Sequence, residues 1–131
     1  MSESSTRLRR LITDERGDCC DEDVEQRLDE LQALAETAFS DDAIRPIFAV
    51  LGSETRYRIA RSLVVADDEL CVCEIEPLVD VSESAVSHAL SDLVNAGLVS
   101  RRKDGNWRYY TTTALAESIF EAAEHDEEIN G

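Results

Sequence analysis

The chain has 131 residues, 43% hydrophobic and 32% charged, which is enough for one modest core and too ordered a composition for a disordered chain. No apolar run approaches the about 20 residues that a membrane helix needs, and the polar start MSESSTRLRR lacks a signal-peptide stretch, so a cytoplasmic protein is expected. The 13 basic and 29 acidic residues give a net charge of −16, spread along the chain, and Lys103 is the single lysine. Such an evenly acidic, lysine-poor surface suggests a halophile, because a high charge keeps protein dispersed where salt screens it. It also means that any nucleic-acid binding must rest on a local basic patch.

Residues 1 to 20 carry no sustained apolar period and contain Gly17, so they read as a flexible N-terminal arm that ends in Cys19-Cys20. Residues 21 to 131 read as one domain. From Asp21 to Phe39 the positions Val24, Leu28, Leu31, Leu34, Ala35 and Ala38 follow helical spacing. A second helix is expected over 42–51, ended by Gly52, and a third from the N-cap Ser53 through Val65, with Ile59, Leu63 and, as a further candidate, Tyr57 facing inward. The stretch ELCVCEIEPL predicts a short helix over 70–79. After a tight turn at Asp80-Val81, Ser82 caps a helix whose apolar stripe is Val86, Leu90, Leu93 and Val94. Gly97 stops it, with Leu98 placed for the apolar contact that accompanies such a stop.

The period then changes. Residues 98–103 and 107–112 are strand-like, and Asp104-Gly105 between them signals a hairpin. A last helix is expected over 113–124, with Leu115, Ile119, Phe120 and Ala123 as its apolar face. The expected architecture is mostly α with a small β-hairpin wing (α+β), a winged helix-turn-helix.

In that architecture the polar face of the capped helix offers Ser82, Ser84, Ser87, His88 and Ser91 to a DNA major groove. The hairpin offers Arg101, Arg102, Lys103 and Arg108 against Asp104, a local positive excess that supplies phosphate affinity on a repulsive molecule. A serine face alone is usually just solvated; in this order beside a basic wing it points to double-stranded DNA. An enzyme is not expected, because neither a CxxC motif in a βαβ setting nor a thiol with a nearby general base is present.

The four cysteines come in two pairs, Cys19-Cys20 and Cys71-x-Cys73. In a reducing compartment paired thiols are metal ligands or redox centres rather than disulfides. Thiolates are soft donors that favour Cd(II), Pb(II), Zn(II) and, by similar chemistry, As(III) and Sb(III). On an ideal helix residues i and i+2 point about 200° apart, so Cys71 and Cys73 are expected to diverge unless the helix distorts. Their place in a first turn, where the positive helix end lowers a thiol pKa, and the missing N–H of Pro77 both favour such distortion.

ELCVCEI, VSESAVSHALSDLVNAGLVSRRKDGNWRYY and, more loosely, residues 44–65 resemble the ArsR (ArsR/SmtB-type) metal-responsive repressors over about two-thirds of the chain. The resemblance implies a homodimer on a palindromic operator, with the first and last helices as its seam, although those apolar faces would equally suit a monomer core. It implies release from DNA when an inducer ion binds Cys71 and Cys73. Arsenic-sensing relatives often carry a third cysteine at the position of Glu76, a departure here. In the cadmium/lead-sensing branch an N-terminal arm supplies the missing thiolates to the other subunit, which assigns Cys19 and Cys20 as ligands. A second site known from some relatives would need Asp and His at Ala114 and Ala116, so it is absent. Three-coordinate As(III) or Sb(III) and four-coordinate Cd(II) or Pb(II) both remain compatible with the thiols. A thiol-based redox sensor, or a DNA-binding regulator without a metal ligand, are the alternatives.

Overall fold

A computed structural model describes residues 3–17, 21–40 and 42–130. The chain divides into two compact units, Met1–Asp42 and Ala43–Gly131.

The first unit is a pair of helices, α1 (Glu3–Arg16) and α2 (Asp21–Phe39). The helical α1 departs from the sequence expectation for this stretch. Its Leu8, Leu11 and Ile12 recur at i, i+3 and i+4, a stripe too brief to register as a sustained period but sufficient when α2 lies against it. Ile12 and Val24 are both buried, and Arg9 bonds Asp21 Oδ1 at 2.6 Å. Gly17, at φ +79°, stops α1 through its N–H to Thr13 O. The α2 stripe is only partly covered: Leu28, Leu31 and Ala35 are half-buried, while Leu34 and Phe39 are exposed.

The second unit begins with α3 (Arg45–Leu51) and α4 (Glu54–Ala66). Pro46 in the first turn of α3 suits a position whose N–H has no partner anyway. Ser53 caps α4 by accepting from the Arg56 N–H. The recognition-helix candidate is α6 (Glu83–Asn95), capped by Ser82. It ends in a Schellman arrangement: Leu98 N–H to Leu93 O and Gly97 N–H to Val94 O, both 3.0 Å, with Gly97 at φ +78°. Leu93 and Leu98 are both fully buried in the same core cluster, as expected of such a stop. The wing strands are β2 (Val99–Asp104) and β3 (Trp107–Thr112), with Gly105 in the turn at φ +63°. The last helix, α7 (Ala114–Asn130), starts over the Gly97 turn, where Thr113 Oγ1 donates to Gly97 O at 2.7 Å.

One expected helix is not there. Residues 70–79 form a two-residue strand β1 (Leu70–Cys71), a single helical turn α5 (Val72–Ile75) and a 3-10 turn over Glu76–Leu78. The sheet order is β1-β3-β2, all antiparallel, with Leu70 opposite Tyr110 and Cys71 opposite Tyr109. The open edge of β3 has backbone groups to pair, and β1 satisfies them. Pro77, with no N–H to give, fits the tighter turn that follows.

The core of this unit gathers Ile59, Leu63, Ile75, Leu90, Leu93 and Leu98 from α4, α5, α6 and the Gly97 turn, each at most 1% exposed. Burial rather than intrinsic propensity therefore holds α6 at its angle to the wing. Leu93→Ala should lower unfolding free energy by about 2–5 kcal/mol, read as a fall in denaturant midpoint at unchanged m. A loss below about 1 kcal/mol would mean that this contact is not central.

Candidate functional site

Cys71 is the last residue of β1 and the N-cap of α5, with extended backbone at φ −71° and ψ 152°. It is therefore not on a helix. The divergence expected for i and i+2 does not apply, because the extended step at Cys71 turns its side chain over the first turn of α5. The two sulfurs converge: Cys73 S–H donates to Cys71 Sγ across 3.0 Å. Glu74, at position N3, completes a capping box whose N-cap is cysteine instead of serine, and the Cys71 N–H donates to Glu74 Oε1 at 2.8 Å. Cys71 is buried at 5% exposure while Cys73 is open to solvent, and both are free thiols.

The expected lowering of thiol pKa is reversed at Cys73. Its hydrogen bond to Cys71 holds the proton on, and desolvation, the Cys71 sulfur and the Glu74 carboxylate push the same way. A four-residue helical turn offers little dipole to oppose them. An incoming cation must therefore displace a proton here.

Two sulfurs on a tetrahedral soft ion with bonds of about 2.3 Å stand about 3.8 Å apart, so the pair must open by under 1 Å to chelate. The donors fit such an ion in kind but not in number. Among the described residues no group of three or more His, Cys, Asp or Glu side chains is placed to hold a metal. Cys19 and Cys20 lie outside the described residues. Glu76 does not fill the third place with sulfur.

The nucleic-acid candidates fall into two sets. Ser84, Ser87, His88 and Ser91 are at i, i+3, i+4 and i+7, one exposed stripe of α6 opposite the buried Val86, Leu90 and Leu93. Ser82 is also exposed, but its Oγ is engaged as the helix cap, accepting from the Ala85 N–H at 3.1 Å. In the wing, alternation puts Arg101 and Lys103 on one face of β2 and Arg102 on the other. Arg108 sits opposite Lys103, so Arg101, Lys103 and Arg108 share the face that carries Val99 and Tyr110 into the core. All three are exposed. Arg102 is committed elsewhere, to Glu69.

Four residues that composition and motif did not mark take part. Glu74 holds the Cys71 amide, and the C-x-x-E spacing was its signal. Glu69 and Tyr109 hold Arg102. Arg56, partly buried, donates Nε–H to Val50 O at 2.8 Å and reaches Asp92 Oδ2 at 3.3 Å, tying the end of α3 to α6. The last two arrangements join distant parts of the chain and have no local sequence signal.

Residues 53–101 match the family described as "Bacterial regulatory protein, arsR family". A Halobacterium salinarum protein provisionally named an arsenical resistance operon repressor, ArsR, is 53% identical over 121 residues, covering 91% of this chain and 94% of that one. The cadmium resistance transcriptional regulatory protein CadC of Listeria innocua is 39% identical over 72 residues, 55% of this chain and 60% of its own. Among solved structures, reduced HlyU from Vibrio cholerae superposes with a TM-score of 0.59 at 26% identity, covering 69% of this chain and 94% of that one. The near full-length match to the Halobacterium protein, on a chain that itself has the winged helix-turn-helix fold, establishes that the chain belongs to the arsR family of regulatory proteins.

Proposed function

We propose that this protein is a DNA-binding transcriptional repressor that leaves its operator when a soft metal or metalloid ion binds its cysteine thiolates. The observation that carries this reading is the 3.0 Å approach of Cys71 and Cys73 on the strand and turn that lead into α6. An ion that opens the pair must shift either β1, which is bonded to the wing, or α5, which abuts the helix-turn-helix. The names of the relatives, arsenical and cadmium resistance regulators, support soft ions as inducers. The candidates are As(III), Sb(III), Cd(II), Pb(II) and Zn(II).

Two thiolates leave such an ion undercoordinated, so Cys19 and Cys20 on the N-terminal arm are the proposed further donors, supplied across a homodimer. A palindromic double-stranded operator would match that symmetry. Leu34 and Phe39 on α2 are exposed, as is Leu115 on α7 in the other unit, and each is an apolar position that a dimer seam would cover. Ser84, Ser87, His88 and Ser91 are the proposed groove contacts, with Arg101, Lys103 and Arg108 on phosphates. Ser82 supports them as the cap of α6. The charge of −16 and the relative from Halobacterium salinarum support a cytoplasmic protein working in high salt.

The test is release of the reduced protein from its own promoter DNA by each of the ions in turn. At least one should release it, and the Cys19→Ser/Cys20→Ser variant should need a higher ion concentration, by about tenfold or more. Failure of every ion would overturn the metal reading, and unchanged ion affinity in the variant would remove the arm from the site. A redox reading draws on the same 3.0 Å approach, because two sulfurs in contact are set to form a disulfide on oxidation. Release by peroxide and not by any ion would favour it.

A further inference from the structure

The register of the small sheet places Cys71, Tyr109 and Arg102 in one row across its three strands: Cys71 is opposite Tyr109 and Tyr109 is opposite Arg102. Side chains in one row share a face. On that face the Arg102 guanidinium lies 4.7 Å from the centre of the Tyr109 ring. It also grips Glu69, two residues before Cys71, in a bidentate pair: Nε to Oε2 at 2.8 Å and Nη2 to Oε1 at 3.0 Å. Asp104 stands further off at 3.8 Å. The neighbouring cations Arg101, Lys103 and Arg108 are on the opposite face and, among the described residues, have no such partner.

From this geometry we infer that Glu69 and Arg102 form a clasp joining the cysteine-bearing strand to the wing, and that Arg102 is a positioning residue rather than a phosphate contact. The inference rests on the repressor reading for its consequence, and it assigns that reading a route. Opening the sulfurs from 3.0 Å displaces the end of β1. The Tyr109 pairing and the clasp carry that displacement to the hairpin that holds Arg101, Lys103 and Arg108. The clasp also keeps one wing cation neutralised, so it limits the affinity of the ion-free protein for DNA.

Glu69→Gln separates the two parts of this inference. Without the carboxylate the Arg102 side chain is released, and because β2 is an edge strand of the sheet this long side chain can reach round that edge to a phosphate. The slope of log affinity against log salt should steepen by about 0.9, one further contact, and DNA affinity at low salt should rise roughly tenfold. A purely structural role for the pair would leave that slope alone. The factor by which ion weakens DNA binding should fall at least about threefold, because β1 and the wing are no longer joined. Ion affinity in the absence of DNA, read from thiolate absorption, should stay as in the wild type. The charge-swapped variant Glu69→Arg/Arg102→Glu should restore both the wild-type slope and the wild-type ion response. A wild-type salt slope in Glu69→Gln overturns the clasp. A steeper slope with an undiminished ion response overturns the route and keeps the clasp. If no ion releases the wild-type protein, the repressor reading fails at that point, and the salt slope alone decides whether the clasp stands.

Discussion

Replacing Cys71 and Cys73 together by serine is expected to leave DNA binding within about threefold of wild type and to abolish its response to ion. Both halves follow from the geometry. Serine is a preferred N-cap and completes the capping box with Glu74 better than cysteine does, so the turn before α6 keeps its shape. Cys73 is exposed, and a hydroxyl there meets water. What the variant loses is softness: hydroxyl oxygens are poor ligands for ions that prefer thiolate. The wild-type ratio of DNA affinities without and with ion should lie in the range of about 5–150, the usual span for coupled sites, and the variant ratio should be about 1. Equilibrium DNA binding with and without ion measures both. A variant that ion still releases would move the sensor away from these two residues.

The second large effect is expected in the wing. Neutralising Arg101, Lys103 and Arg108 as Arg101→Gln/Lys103→Gln/Arg108→Gln should reduce the salt slope of DNA binding by about 2.7 and cost on the order of 100-fold or more in affinity at low salt. The molecule carries −16 overall, so under the proposed contacts its approach to a polyanion would depend on these few cations. They share one face of the hairpin, the face that also carries Val99 and Tyr110 toward α6 and the core. Arg102→Gln, by contrast, should change the slope little, because its charge is already met by Glu69. Salt-dependent binding to promoter DNA checks both. If Arg102→Gln lowers the slope by about 0.9, a third of the triple variant's effect, all four cations act alike and the face assignment is wrong.

The elements with a strong period or a marked cap were legible in the sequence. Helix α2 spans Asp21–Phe39 as its apolar spacing predicts, Ser53 and Ser82 cap the helices they precede, and Gly97 with Leu98 makes the stop expected of them. The hairpin follows from Asp104-Gly105. Shorter features were not legible. A strand of two residues has no period, and β1 exists only because β3 offers it an edge. That single element reverses the reading of the thiols: on a helix Cys71 and Cys73 diverge, whereas at a strand end they meet at 3.0 Å. Helix α1 likewise depends on a partner, since Leu8, Leu11 and Ile12 make a stripe only once α2 is against them. The Glu69–Arg102 pair spans 33 residues and belongs to the fold rather than to any motif. Residue type marked the thiols and cations as candidates, but only the pairing of strands told that Arg102 is held by Glu69 on the face opposite the others.

The central claim is that ion capture by Cys71 and Cys73 and loss of DNA are one event. The direct measurement titrates As(III) or Cd(II) into the reduced protein on its labelled promoter, recording thiolate charge-transfer absorption and DNA release in the same sample. The two signals should rise together and reach their plateaus at the same ion-to-protein ratio. Saturation of the thiolate band with the DNA still bound, or release before the band develops, would contradict it.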